Sequence, residues 1–125
     1  MAHLARIERF ALTFPEAVRV DIEAWDGEPT FRVRNKNFVF CAPDGSVLTV
    51  KLPKDEAEAV VASDGRVSPC GYGLGRHGWV TARLPARLAA DQWVEVEEWI
   101  ETSYRLVAPR RLVAMLDADA EATPS

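Results

Sequence analysis

The chain is predicted to fold as an α+β domain, an antiparallel sheet covered on one face by helices. Three observations carry this. Two-residue alternation of apolar and polar side chains recurs between residues 18 and 52 and again near residue 80. Turn sequences divide the first of these spans too finely to admit a crossover helix. Helical stripes precede and follow the strands instead of alternating with them. The central stretch runs from Phe31 to Leu52. Phe31 and Val33 alternate with Arg32 and Arg34, the period of a strand with one buried face. Asn35-Lys36-Asn37 breaks the run, because Asn tolerates positive φ and caps turns with its own side chain. Phe38 to Cys41 forms the second strand, Pro43-Asp44-Gly45 the second turn, and Val47 to Leu52 the third strand.

The remaining elements follow in order. Ala2 to Leu12 reads as a helix, with Leu4, Ile7, Ala11 and Phe14 on one stripe and Pro15 as the stop. Val18, Val20 and Ile22 alternate with Arg19, Asp21 and Glu23, an edge strand whose charged face is expected to point outward. The segment from Trp25 to Pro29 reads as a turn. Pro53 opens a short helix to Ala62, with Asp55 and Glu56 at the positive end of its dipole. The residues from Arg66 to Gly78 read as the longest irregular stretch, holding four of the chain's 7 Gly. Trp79 to Leu84 is the last strand, with Trp79, Thr81 and Arg83 on one side and Val80, Ala82 and Leu84 on the other. Asp91 is the expected N-cap of a long helix to Val107, with Trp93, Val96, Ile100, Tyr104 and Val107 facing inward. Arg110 to Leu116 is a final short helix. Residues 1–116 therefore form one domain, and 117–125 a small, acidic, flexible tail.

Composition narrows the function. Of 125 residues, 48% are hydrophobic, enough for a packed core. The net charge is -4, which disfavours holding phosphates over the whole surface and demands a local basic patch if nucleic acid is bound. The 2 Cys, Cys41 and Cys70, match no zinc or CxxC spacing, and Cys41 falls inside a strand as a small buried hydrophobe. No apolar run is long enough for a signal peptide or a membrane span, so a cytoplasmic protein is expected.

Candidate chemistry is sparse. Tyr72, Arg76, His77 and Trp79 cluster about the glycines, where two aromatics and two cations fit base stacking and phosphate contact. The alternative is a turn that leads Trp79 into the core. The GxGxxG pattern lacks its strand-to-helix context, which excludes a dinucleotide site. A Cys70–His77 nucleophile and base pair lacks a third, orienting group, and His77 lacks a second metal ligand. No enzyme, cofactor or metal is expected. Arg32, Arg34, Lys51 and Arg83 project from predicted strands, and with Lys36 at one end they make a positive strip or ordinary solvated decoration. Arg110 and Arg111 either extend that strip or cap the preceding helix.

The ordered set of Trp25, Pro29-Thr30-Phe31, Asn35-Lys36-Asn37-Phe38, Leu48 to Lys51, Gly78-Trp79-Val80 and Ser103-Tyr104-Arg105-Leu106-Val107-Ala108-Pro109-Arg110 resembles the MmcQ/YjbR family. Arg110 stands where the family pattern has Lys and keeps the charge; the segment from Cys70 to Gly75 does not follow the pattern. The resemblance implies a twisted antiparallel sheet similar in outline to frataxin-like and secretion-chaperone-like domains, and a DNA-binding role. Iron binding by analogy with frataxin is rejected, because the first helix carries only Glu8 among Arg6 and Arg9.

Two functional expectations result. The first is a non-enzymatic DNA-binding domain, weak and salt-sensitive. Its contact residues are drawn from Trp25, Arg32, Arg34, Lys36, Lys51, Arg76, His77, Trp79, Arg83 and Arg110. The second is a small adaptor or ligand-binding domain with an apolar groove, acting through a protein partner or a second copy of itself.

Overall fold

The computed structural model describes residues 3–23, 27–71 and 73–122, with side chains through residue 118. The helices are α1 (His3–Ala11), α2 (Lys54–Ser63), α3 (Ala90–Val107) and α4 (Arg110–Ala122). The strands are β1 (Val18–Ile22), β2 (Glu28–Val33), β3 (Lys36–Cys41), β4 (Val47–Lys51), β5 (Val67–Pro69) and β6 (Trp79–Arg83), with a 3-10 turn at Leu74–His77. Among the described residues these strands form one sheet in the order β1-β2-β3-β4-β6-β5, antiparallel at every pairing. The predicted fold class and meander are what the structure has.

The covered face of the sheet carries Phe31, Val33, Val39, Cys41, Leu48, Val50, Val80 and Ala82, all buried. Helix α3 lies across β3 and β4 and turns Trp93, Val96, Ile100 and Tyr104 onto them. Phe14 stacks on Tyr104 with ring centroids 4.7 Å apart, and Phe38 meets Tyr104 edge-on at 5.3 Å. Ile7 and Ala11 complete the core from α1.

The β2–β3 register shifts between Phe31 and Arg32, so that Phe38 is the extra residue opposite them. The shift turns Phe38 to the covered face beside Val39 instead of opposite to it. It also leaves the Phe38 carbonyl and the Lys51 amide outside the β3–β4 ladder. Ser103 of α3 joins them: its hydroxyl donates to the Phe38 carbonyl at 2.6 Å and accepts from the Lys51 N–H at 2.9 Å. Next to it, the Tyr104 hydroxyl donates to the Pro15 carbonyl at 2.8 Å and fastens the turn after α1. Gly78 has φ +92, and a side chain there would collide with the Leu52 carbonyl. Its own carbonyl accepts from the Leu52 N–H at 2.9 Å. The residues that carry the family resemblance at 78, 103 and 104 are thus structural.

Several expectations change. The charged side of β1 faces the helices: Arg19 pairs with Glu8 of α1 at 3.2 Å and with Asp21 at 2.8 Å. Val18, Val20 and Ile22 share the uncovered side with Arg32, Thr30 and Glu28. Alternation tells which residues share a side, and the register with β2 places Arg19 level with Phe31 on the helix side, although both Arg19 and Asp21 stay exposed at the sheet edge. Strand β2 begins at Glu28, so Pro29 belongs to the strand and not to a turn; it pairs only with the edge strand, at Asp21. The turn before β3 is Arg34-Asn35, both at positive φ (51 and 65), the backbone a two-residue hairpin needs. Arg34 is therefore a turn residue and not a strand residue. The stretch from Arg66 to Gly78 holds β5 and the 3-10 turn. The N-cap of α3 is Ala89, whose N–H donates to the Gln92 side chain at 2.8 Å, while Asp91 lies within the first turn. Helix α4 continues past Leu116 to Ala122.

Candidate functional site

Helices cover one face of the sheet; the other carries a mixed surface set by the strand register. Val20, Thr30, Phe40, Thr49, Thr81 and Ser68 form a transverse row, one from each strand. On one side of that row stand Arg32 opposite Asn37 and Lys51 opposite Trp79. On the other side stand Glu28 opposite Ile22 and Val47 opposite Arg83. The row itself is internally satisfied. The Thr49 and Thr81 hydroxyls are bonded at 3.0 Å, and Thr30 donates to the Val20 carbonyl at 2.6 Å. Phe40 and Trp79 meet with centroids 5.3 Å apart at 62°, both half-buried. Val18, on the edge strand, is 52% exposed, whereas Thr30 and Thr49 in the middle of the row are buried.

Arg32, Lys51 and Arg83 share this face, as predicted, and none has a carboxylate partner among the described residues; the Arg32 guanidinium only donates to the Thr30 hydroxyl at 3.3 Å. Lys36 stands where β3 begins, at the same end of the sheet as Lys51 and Trp79. Arg76 and His77 lie on the 3-10 turn that enters β6 from that end, both exposed, with Arg76 Nε donating to the Gly73 carbonyl at 3.1 Å. Arg34 drops out of the cationic set. Glu16 grips it at 2.6 and 3.0 Å, and that bond holds the Glu16 carboxyl below its ordinary range. Arg110 also drops out, since it opens α4, a helix tied to α3 through Arg105 and Asp117 at 2.8 Å. Trp25 and Tyr72 lie outside the described residues. The only acid in these rows is Glu28, whose carboxyl is pushed up by burial.

Sequence reasoning missed Phe40. Plain alternation gives Phe38 and Phe40 one side, and only the bulge separates them. No hydrogen bond joins Cys70 to His77 among the described residues. Burial pushes the Cys41 thiol up to about 12, so it stays protonated and inert as a nucleophile. Among the described residues no three His, Cys, Asp or Glu side chains converge on a point, and no helix is long and apolar enough to cross a membrane.

A groove of about 260 Å³ opens on the covered side, between α2 and the β5–β6 edge. Ala57, Val61, Pro69 and Val80 form its apolar lining, with Lys54 and Arg76 at its rim.

The crystal structure of the Deinococcus radiodurans protein DR2400, described as a DUF419 domain, is similar to this chain in fold. The TM-score is 0.68 at 21% identity, over 86% of this chain and 79% of that one. No curated protein matches the chain. The family model described as YjbR matches residues 12–106, which take in the whole sheet and nearly all of α3. That span includes Gly78, Ser103 and Tyr104 in the structural roles described above, and the chain belongs to the YjbR family.

Proposed function

We propose that this domain binds nucleic acid without catalysing a reaction, and that the uncovered face of the sheet is the contact surface. The observation that supports it best is the grouping of Arg32, Lys51 and Arg83 with the Phe40–Trp79 pair, free of carboxylate partners among the described residues. Several arginines off this face are held by acids: Arg19 by Glu8 and Asp21, Arg34 by Glu16, Arg66 by Asp64. Cations left unpaired beside aromatic surface suit a polyanion with flat bases. The free thiols Cys41 and Cys70 fit a reducing, cytoplasmic setting.

Fluorescence anisotropy with labelled DNA, titrated over a range of salt, tests this. Binding in the micromolar range at low salt is expected, weakening linearly on a log–log plot, and reduced in Arg32→Ala and Lys51→Ala. No shift at micromolar protein, or a response indifferent to salt, ends the reading.

A second reading rests on the groove under α2, as the docking point for a second copy of the chain. Sedimentation at rising concentration would then show a dimer that Val61→Glu dissolves. A monomer throughout rejects it.

A further inference from the structure

We infer that the uncovered sheet face takes single-stranded nucleic acid in preference to a duplex. This rests on the reading above and narrows it to a class of ligand. The first argument is access. A duplex presents its sequence edges in a major groove about 12 Å wide, which admits a helix or a two-stranded ribbon. Six strands at about 4.8 Å spacing make a surface roughly 24 Å across, twice that opening. The aromatic pair sits on β3 and β6, interior strands with neighbours on both sides, so no edge carries it into a groove.

The second argument is what the side chains offer. Trp79, half-buried beside Phe40, carries ring surface, and ring surface is complementary to the flat face of a base. In a duplex those faces are covered by neighbouring bases; in a single strand they can be splayed onto the protein. The hydroxyls in the row beside the rings are already committed: Thr49 to Thr81, and Thr30 to the Val20 carbonyl. Little is left there to read base edges, so the contact is sequence-tolerant.

The third argument is the placing of charge. Lys51 and Trp79 are cross-strand partners at one end of the face, with Arg32 on the same side of the threonine row. Arg83 lies at the other end of β6 from Trp79, about 13 Å away along the strand. A short backbone running along β6 meets Lys51 beside Trp79 and Arg83 at the other end. Two phosphates neutralised on a single strand give a salt slope of about −1.4 on a log–log plot.

The test uses the full chain and four labelled probes of equal length: oligothymidine, oligouridine, a blunt duplex and an abasic oligodeoxynucleotide. Oligothymidine or oligouridine is expected to bind at least tenfold more tightly than the duplex or the abasic strand, and the stronger of the two identifies the favoured sugar. Trp79→Ala is expected to weaken single-strand binding about tenfold, with Trp79→Phe restoring most of it, since base–aromatic stacking is ring-dependent and sequence-tolerant. Phe40→Leu, which keeps apolar bulk, serves as the second variant should Trp79→Ala misfold. Lys51→Ala is expected to reduce the slope by about 0.7. Equal or tighter duplex binding overturns this inference and leaves the nucleic-acid reading standing. Absence of binding to every probe overturns both. Single-strand binding unchanged in Trp79→Ala, Phe40→Leu and the abasic probe removes the stacking basis and the inference with it.

Discussion

The two faces of the sheet are made from the same strands, often from adjacent residues, yet they obey different rules. On the covered side Leu48, Val50, Val80 and Ala82 are sealed under α3. A charged cluster on that side, Arg19 with Glu8 and Asp21, is paired. On the uncovered side Thr49, Lys51, Trp79 and Arg83 alternate with them, and the cations are left without partners among the described residues. The Arg19 cluster lies at the exposed edge of the sheet, where ion pairs add little to stability. The positive charge and ring surface of the uncovered side have no evident role in stability either, and they supply the support for reading it as a site.

The contrast can be broken most sharply by neighbouring substitutions on β4. Leu48→Ala is expected to cost about 3 kcal/mol in urea unfolding, whereas Lys51→Ala should stay within about 0.5 kcal/mol. Similar losses at both positions would erase the distinction. Ser103→Ala probes the seam between the two regimes. It leaves the Phe38 carbonyl and the Lys51 N–H unpartnered and should cost about 1–3 kcal/mol, with faster hydrogen exchange at the Lys51 amide. Unchanged exchange there would show that the bulge closes without the hydroxyl. The smallest effect is expected at Glu28. Burial raises its carboxyl above the ordinary glutamate value, so the folded state holds the proton more tightly than the unfolded chain. Its contribution to stability is therefore full below that value and is lost as pH rises through the raised one. Glu28→Gln should be neutral in acid and stabilising at pH 7 by no more than about 0.3 kcal/mol, given solvent screening. By removing the acid from these rows it should also tighten nucleic-acid binding slightly. A variant more stable only in acid would reverse the sign.

Much of the fold was legible because it rests on local rules. Pro43-Asp44-Gly45 and the alternation of Trp79 to Leu84 marked a turn and a strand without reference to anything distant. What was not legible depended on contacts far along the chain. The side of β1 that faces the helices depended on its register with β2, and the rotation of Phe38 on a bulge supported from Ser103. Strand β5, three residues long and ending in Pro69, is too short to show a period. Of the proposed site, Arg32, Lys51 and Arg83 came from periodicity, and Trp79 from the glycine-rich stretch that precedes it. Arg34 was misplaced because Asn35 marked the turn but did not show that the preceding residue entered it too.

The Ser103 bridge has a consequence for how relatives are compared. A hydroxyl from a helix completes the backbone pairing of two ribbons, so docking of that helix and closure of the gap become one cooperative event. A search keyed on the Ser-Tyr pair selects chains able to make this join. The side chains on the opposite face of the sheet, Trp79 among them, take no part in that join.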